Sequence, residues 1–201
     1  MDDGGYEEIP GVITEGGTTV TKDYACVEGC HTYTFKAVDA AGNVTVTDAL
    51  TVKLDTIKPV MGDAAFNEGY KNLWNWLIRK DSLEITIPVA EAGSGIESVD
   101  YELISEDSST TAGQASVKKA SGENSAGYTA VIYINPDFKG KIMITARDHA
   151  GNVSDTKMIG TDGSGIHGII VEDHAPEITF SVNGSESPEK EYEKAPTVIV
   201  M

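Results

Sequence analysis

Several features that define other protein classes are scarce or missing in this sequence. Its 201 residues include only two cysteines, two tryptophans and four phenylalanines. No apolar run approaches the roughly 18 residues that a membrane-spanning helix needs. Basic residues are also few, because 15 lysines and arginines stand against 32 aspartates and glutamates, for a formal net charge of −17. A surface of that sign repels phosphate backbones, so we do not expect nucleic-acid binding. Because no apolar run is long enough, we do not expect membrane insertion within this chain either.

The first residues do not have the pattern expected of a secretory signal. Met1 is followed by Asp-Asp-Gly-Gly, whereas a signal peptide has a basic segment and then an apolar one. Two alternatives follow: a protein that stays inside the cell, and a piece of a longer exported chain.

The two cysteines lie close together, as Cys26 and Cys30 in the stretch CVEGCH. Together with the adjacent His31 they supply three ligands, one fewer than a structural zinc site requires. A short disulfide across this bend and a pair of free thiols both fit the sequence.

Strand patterns dominate the chain, and long runs with helical periodicity are missing. Apolar residues occupy every second position in 83–89, 99–103 and 128–134. Alternation with a period of two is typical of strands with one buried face. Turn-forming residues separate these segments, at 91–97, 105–114, 121–127 and 135–140. Many short strands joined by such turns predict an all-β antiparallel sandwich.

One turn occurs twice. The stretch KAVDAAGNVT at 36–45 returns as TARDHAGNVS at 145–154, an offset of 109 residues that suits a repeated sandwich of about 100 residues. Glycine takes positive φ at little steric cost, and the aspartate can accept N–H groups inside the loop. The sequence therefore predicts the same structural turn in both copies, formed by Asp39, Gly42 and Asn43 and by Asp148, Gly151 and Asn152.

Each copy is followed by a strand and then by an acidic residue shortly before a proline. These pairs are Asp55 with Pro59 and Asp173 with Pro176. Proline cannot donate to a strand ladder, so it suits the start of a new edge strand. We interpret both pairs as junctions. They divide the chain into the C-terminal part of one module (1–56), a complete module (57–174) and the N-terminal strands of a third (175–201).

Longer motifs around these positions resemble a known family. SLEITIPVAEAGSGI, DFKGKIMITARDHAGNVSD and GIIVEDHAPEITF are similar to motifs of the bacterial immunoglobulin-like repeats found in large Firmicute cell-surface proteins. The resemblance covers most of 57–180 and, more weakly, 33–60. It implies tandem immunoglobulin-like sandwiches, an extracellular location (on the cell surface or secreted), and a place in a multi-domain adhesin. Glu91 stands where the family often has aspartate, and CVEGC has no counterpart in it.

A catalytic site is not predicted. None of the four histidines, His31, His149, His167 and His174, accompanies a nucleophile in a recognisable motif. The stretch GTDGSGIHG at 160–168 lacks the first glycine of a nucleophile elbow, since Asp162 stands in its place. No catalytic residue is therefore assigned.

Calcium is a possible ligand of the turns and junctions, although the sequence favours simple hydrogen bonding there. Asp39 or Asp148, near Asp55 or Asp173, would offer the oxygen atoms that this ion prefers. No EF-hand pattern is present, so no metal site is assigned and no other cofactor is expected.

Aromatic residues suggest a carbohydrate surface as an alternative to simple core packing. Trp74 and Trp76 would share one face if NLWNWLI were extended, and Tyr70 precedes them. Such a platform would bind a host or dietary glycan.

The function expected from these patterns is a non-catalytic stalk. The stalk would present another part of a bacterial surface protein, with neighbouring modules of the same chain as its main partners and a host surface protein as a further one. The alternatives are a carbohydrate-binding module and the accessory region of a large extracellular glycoside hydrolase.

Overall fold

The described part of the chain is all-β. The computed structural model describes residues 23, 25–39, 41–120, 127–160, 165–177, 179–182 and 198–200. Every regular element within them is a strand, which confirms the all-β prediction. Accordingly, these residues contain no helix long and apolar enough to cross a membrane.

The strands fall into three stretches of the chain. Four precede Asp55: β1 (Gly29–Tyr33), β2 (Lys36–Val38), β3 (Val44–Val46) and β4 (Leu50–Leu54). The next six are β5 (Val60–Met61), β6 (Ala65–Phe66), β7 (Lys71–Leu73), β8 (Trp76–Arg79), β9 (Leu83–Ala90) and β10 (Ile96–Ser105). Six more are β11 (Thr110–Gln114), β12 (Ser116–Lys119), β13 (Gly127–Ile134), β14 (Phe138–Asp148), β15 (Lys157–Ile159) and β16 (Gly168–Val171). The last two are β17 (Phe180–Val182) and β18 (Val198–Val200), which pair with each other antiparallel.

Two sheets form the middle of the chain. The larger sheet has the strand order β11-β10-β14-β16-β8-β7, with β15 also paired to β14. The smaller sheet has the order β12-β13-β9-β5, with β6 also paired to β9. Neighbouring strands are antiparallel except for β8 and β16, which run parallel.

The buried cluster draws on both sheets because apolar residues alternate along their strands. In β9, the side chains of Leu83, Ile85, Ile87 and Val89 are buried while the intervening ones are not. In β14, Ile142, Ile144 and Ala146 are fully buried. These residues pack into one hydrophobic cluster, an arrangement compatible with a β-sandwich.

The hairpins before Asp55 are much more exposed. Strand β1 pairs with β4 and β2 pairs with β3, each in a two-stranded sheet. Phe35 is the counterpart of Ile144 in the repeat, yet it is 43% exposed whereas Ile144 is 0% exposed. The alternating apolar side chains are therefore buried in the second copy of the repeat and mostly exposed to solvent in the first.

Candidate functional site

The repeated turn has the same hydrogen bonds in both copies. The Asp39 carboxylate accepts the N–H of Asn43 at 2.8 Å and its side-chain amide at 2.6 Å. The Asp148 carboxylate accepts the same two groups of Asn152, both at 2.8 Å. Gly42 and Gly151 have φ values of 87° and 94°, a region that favours glycine. The aspartate thus organises a loop whose tight bend glycine permits.

Burial distinguishes the two copies. Asp148 is 0% exposed, whereas Asp39 is exposed. The side-chain amide and then the N–H of Asn43 hold the pKa of the Asp39 carboxyl below the usual aspartate range. The same hydrogen-bonded loop therefore lies in water in the first copy and at the end of the core in the second.

The buried turn belongs to a group of three carboxylates, which we call the junction cluster: Asp55, Glu91 and Asp148. One carboxylate oxygen from each comes within 4.8 Å of the others. Glu91 is 6% exposed and Asp55 is half-buried. Glu91 directly follows β9 and Asp148 ends β14, so both occupy the next inward position of their alternating strands. Because burial alternates with a period of two along both strands, the side chains of Glu91 and Asp148 face inward at the same end of the core.

Backbone N–H groups bind the carboxylates of the junction cluster. Asp55 accepts the N–H of Ser94 at 2.6 Å and that of Ile57 at 3.2 Å. Glu91 accepts the N–H of Gly93 at 2.6 Å. A Cβ added at Gly93 would overlap the Asp55 carboxylate, so this loop requires glycine there. The loop 91–95 is therefore shaped around the carboxylate of Asp55.

Oxygen atoms of this kind are the ligands that calcium prefers. Asp55, Glu91 and Asp148 are close enough to share one cation, which places Asp148 beside Asp55 as the calcium hypothesis required. A second group, Asp137, Asp173 and His174, is exposed. Each junction carboxylate already accepts at least one N–H group, so hydrogen bonding accounts for the geometry of the junction cluster.

Sequence reasoning assigned no role to Glu91 or Ser94. It noted that Glu91 replaces an aspartate common in the resembling family and otherwise assigned 91–97 to a turn, although two further signals were available. Glu91 continues the alternation of β9 by one inward position, and Ser94 lies between two glycines. Their approach to Asp55 spans about 40 positions, which local periodicity does not encode.

Lowering the pH should weaken the hydrogen bonds between the Asp55 carboxylate and Ser94. The hydroxyl and then the N–H of Ser94 hold the pKa of the Asp55 carboxyl below its usual range. A lowered folded-state pKa stabilises the fold where the unfolded aspartate, with a pKa of about 3.9, is ionised. We expect the native chain to be more stable than Asp55→Asn, with the full difference in the free energy of unfolding above about pH 5. That difference should shrink as the pH falls below about 4.

Urea denaturation at several pH values between 2.5 and 6 measures that difference. Asp48→Asn, at an exposed aspartate before β4, is the control for removing one negative charge. A difference between native chain and Asp55→Asn that stays constant over this range would contradict the assignment.

The linker 55–58 is held from two directions. The side-chain amide of Asn152 donates to the carbonyl of Asp55 at 3.0 Å, and Lys58 pairs with Asp155 at 2.5 Å. On the other side, Glu28 accepts the N–H and the hydroxyl of Thr56. These contacts connect a residue next to β1 with the turn that follows β14.

The predicted junction prolines differ in their surroundings. Pro59 is buried and directly precedes β5, the edge strand of the smaller sheet. Pro176 and Asp173 are exposed, and Asp173 lies 3.4 Å from the ring of His174. The first junction is therefore packed against a sheet, while the second is open to solvent.

The structure also places the two cysteines and two of the histidines. Cys26 and Cys30 are exposed free thiols. The ring of His31 lies 2.8 Å from the carbonyl of Glu28, and the backbone N–H of His149 donates to Gly95. The part of GTDGSGIHG at 161–164 lies outside the described residues.

The aromatic segment is not extended. Trp74 and Asn75 form a two-residue turn between β7 and β8, so the condition for placing both tryptophans on one face is not met. Trp74 is 83% exposed and Tyr70 is 42% exposed. Trp76 lies in β8, where it is half-buried and its ring covers Gly168.

No protein-family model matches the chain, and no curated protein matches it with significant similarity.

Proposed function

We propose that the chain is a section of a tandem array of immunoglobulin-like modules, and that it acts as a non-catalytic spacer in an exported bacterial surface protein. The resemblance of its motifs to such repeats and its all-β architecture support this role. The partners of each module are then its neighbours in the chain. Arrays of small sandwiches suit a spacer because each module has its own core.

The observation that carries the proposal is the attachment of the linker 55–58. A free linker would leave neighbouring modules to move independently, which is the default for small interfaces. Here the linker is bonded to Glu28 on one side and to Ser94, Asn152 and Asp155 on the other. Such contacts limit the angles between neighbours, which a spacer requires if it is to hold its load at a distance.

The repeated turn then has a role in assembly. Asn152 donates one amide hydrogen to Asp148 of its own turn and another to the carbonyl of Asp55 in the linker. An asparagine side chain has two donors, so it can brace the loop and hold the incoming chain together. In an array, each module would hold its predecessor in this way.

Removing the linker contacts should loosen the arrangement without unfolding the sandwich. The test variant combines Asn152→Ala with Lys58→Ala. Spin labels on native Cys30 and on Tyr133→Cys, with Cys26→Ser, report the distance between β1 and β13 by pulsed electron resonance. We expect a wider distance distribution in the variant and a similar far-ultraviolet circular dichroism spectrum.

The matched control is Lys139→Ala, which removes an exposed ion pair with Glu106 away from the linker. It should leave the distribution unchanged. Equal widths in the native chain and the linker variant would count against a spacer of restricted geometry.

A further inference from the structure

The tip of the β7–β8 hairpin has a residue that its local structure does not explain. Trp74 is the most exposed large apolar side chain of the described residues, at 83%. Trp74 and Asn75 have φ values of 52° and 64°, as a type I′ hairpin turn requires. Asn and Gly suit such turns, whereas a bulky residue in the left-handed region costs about 1–2 kcal/mol. Tryptophan at this position thus gains neither burial nor a favourable backbone.

The turn that carries Trp74 is joined to the larger sheet by strand pairing and a hydrogen bond. Its turn closes between the paired residues Leu73 and Trp76, and β8 is paired in turn with β16. The N–H of His167 donates to the carbonyl of Asn75 at 2.7 Å, which ties the turn to the chain entering β16. A side chain presented from a rigid turn loses little backbone entropy when it binds.

A groove of about 590 Å³ adjoins the hairpin, and a volume of that order is typical of small-molecule sites. Trp76, Glu106, Ser108, Lys141 and His167 are among the residues that line it. The groove therefore combines an indole with a carboxylate, an ammonium group, a hydroxyl and an imidazole.

The wall of this groove is also ordered by contacts. Lys139 pairs with Glu106 at 3.0 Å, and its ammonium group lies 5.4 Å from the centre of the Trp76 ring. The ring of Trp76 covers Gly168, where any Cβ would overlap it. These contacts position Glu106 and Trp76 along the groove.

We propose that this end of the larger sheet binds a neutral carbohydrate, with Trp74 as the stacking platform and the groove as the source of polar contacts. A pyranose ring presents a face of C–H groups, which suits an indole, and hydroxyls around its rim, which suit mixed donors and acceptors. The formal net charge of −17 opposes sulfated, sialylated or phosphorylated polymers and anionic lipid surfaces. This binding role goes beyond the proposed spacer function, and the experiment that tests one does not test the other.

The experiment applies the 201-residue chain to an array of neutral oligosaccharides built from hexoses, N-acetylhexosamines and fucose. Sulfated and sialylated forms of the same backbones are included, and phosphatidylcholine and phosphatidylserine vesicles are tested in parallel. The variant is Trp74→Asn, because asparagine tolerates the left-handed turn and removes only the indole. Tyr133→Ala, at an aromatic residue that is 57% exposed on β13, is the matched control.

We expect the native chain to retain a subset of neutral glycans. Trp74→Asn should weaken that binding at least about tenfold without lowering the melting temperature, while Tyr133→Ala should leave it unchanged. Glu106→Gln should alter which glycans bind, since it replaces a carboxylate acceptor in the groove.

Four results would overturn the proposal. They are the absence of any neutral-glycan binding, binding that Trp74→Asn leaves intact, retention of sulfated or sialylated forms alone, and Trp74-dependent binding to vesicles without binding to glycans. The last would assign the hairpin to a membrane surface instead.

Discussion

Replacing Ile144 by alanine is expected to lower the free energy of unfolding by about 2–5 kcal/mol, the range found when a large aliphatic side chain is truncated inside a core. Ile144 is 0% exposed and lies in β14, between β10 and β15 in the larger sheet. Truncation removes apolar burial and leaves a cavity that a close-packed core cannot fully close. Urea denaturation followed by far-ultraviolet circular dichroism measures the change.

The repeat supplies a matched control for this substitution. Phe35 occupies the position 109 residues earlier, with the same alternation around it, but it is 43% exposed. Phe35→Ala should therefore cost less than about 1 kcal/mol, although it removes the larger side chain. A loss at Phe35 as large as that at Ile144 would mean that the Phe35 side chain is covered in solution.

The strands were predictable where one face is buried. Period-two alternation located 83–89, 99–103 and 128–134, and the structure has β9, β10 and β13 there. The same signal cannot specify which strands become neighbours. The parallel pairing of β8 with β16 joins segments about 90 residues apart, and such contacts depend on the packing of the whole sheet.

The aromatic segment shows how backbone conformation can override a side-chain pattern. Tryptophan, asparagine and tryptophan in succession fit an extended strand as well as a turn. Trp74 and Asn75 instead take positive φ, which reverses the chain and separates Trp74 from Trp76. A bulky residue in that region is rare, so propensity alone argues against the turn that forms.

The candidate site was predictable only in part. The repeated turn follows from Asp148, Gly151 and Asn152, because its hydrogen bonds are local. The approach of Asp55 and Glu91 is not local, since the linker and the loop after β9 meet only once the two sheets pack together. The inward position of Glu91 was the available clue.

Asp148→Ala is expected to destabilise the chain by about 1.5–3 kcal/mol, since it removes two charge-assisted hydrogen bonds at a fully buried position. The same change relieves repulsion from Asp55 and Glu91, which keeps the loss below that of two independent bonds. Asp39→Ala removes the same bonds from an exposed turn, where water can replace them, so it should destabilise the chain much less than Asp148→Ala does. Thermal and urea unfolding of the two variants compare them directly. Equal losses in the two variants would show that the turn stabilises the chain through its own hydrogen bonds. A larger loss at Asp148 would instead assign the stabilisation to the junction cluster, which contains Asp148 but not Asp39.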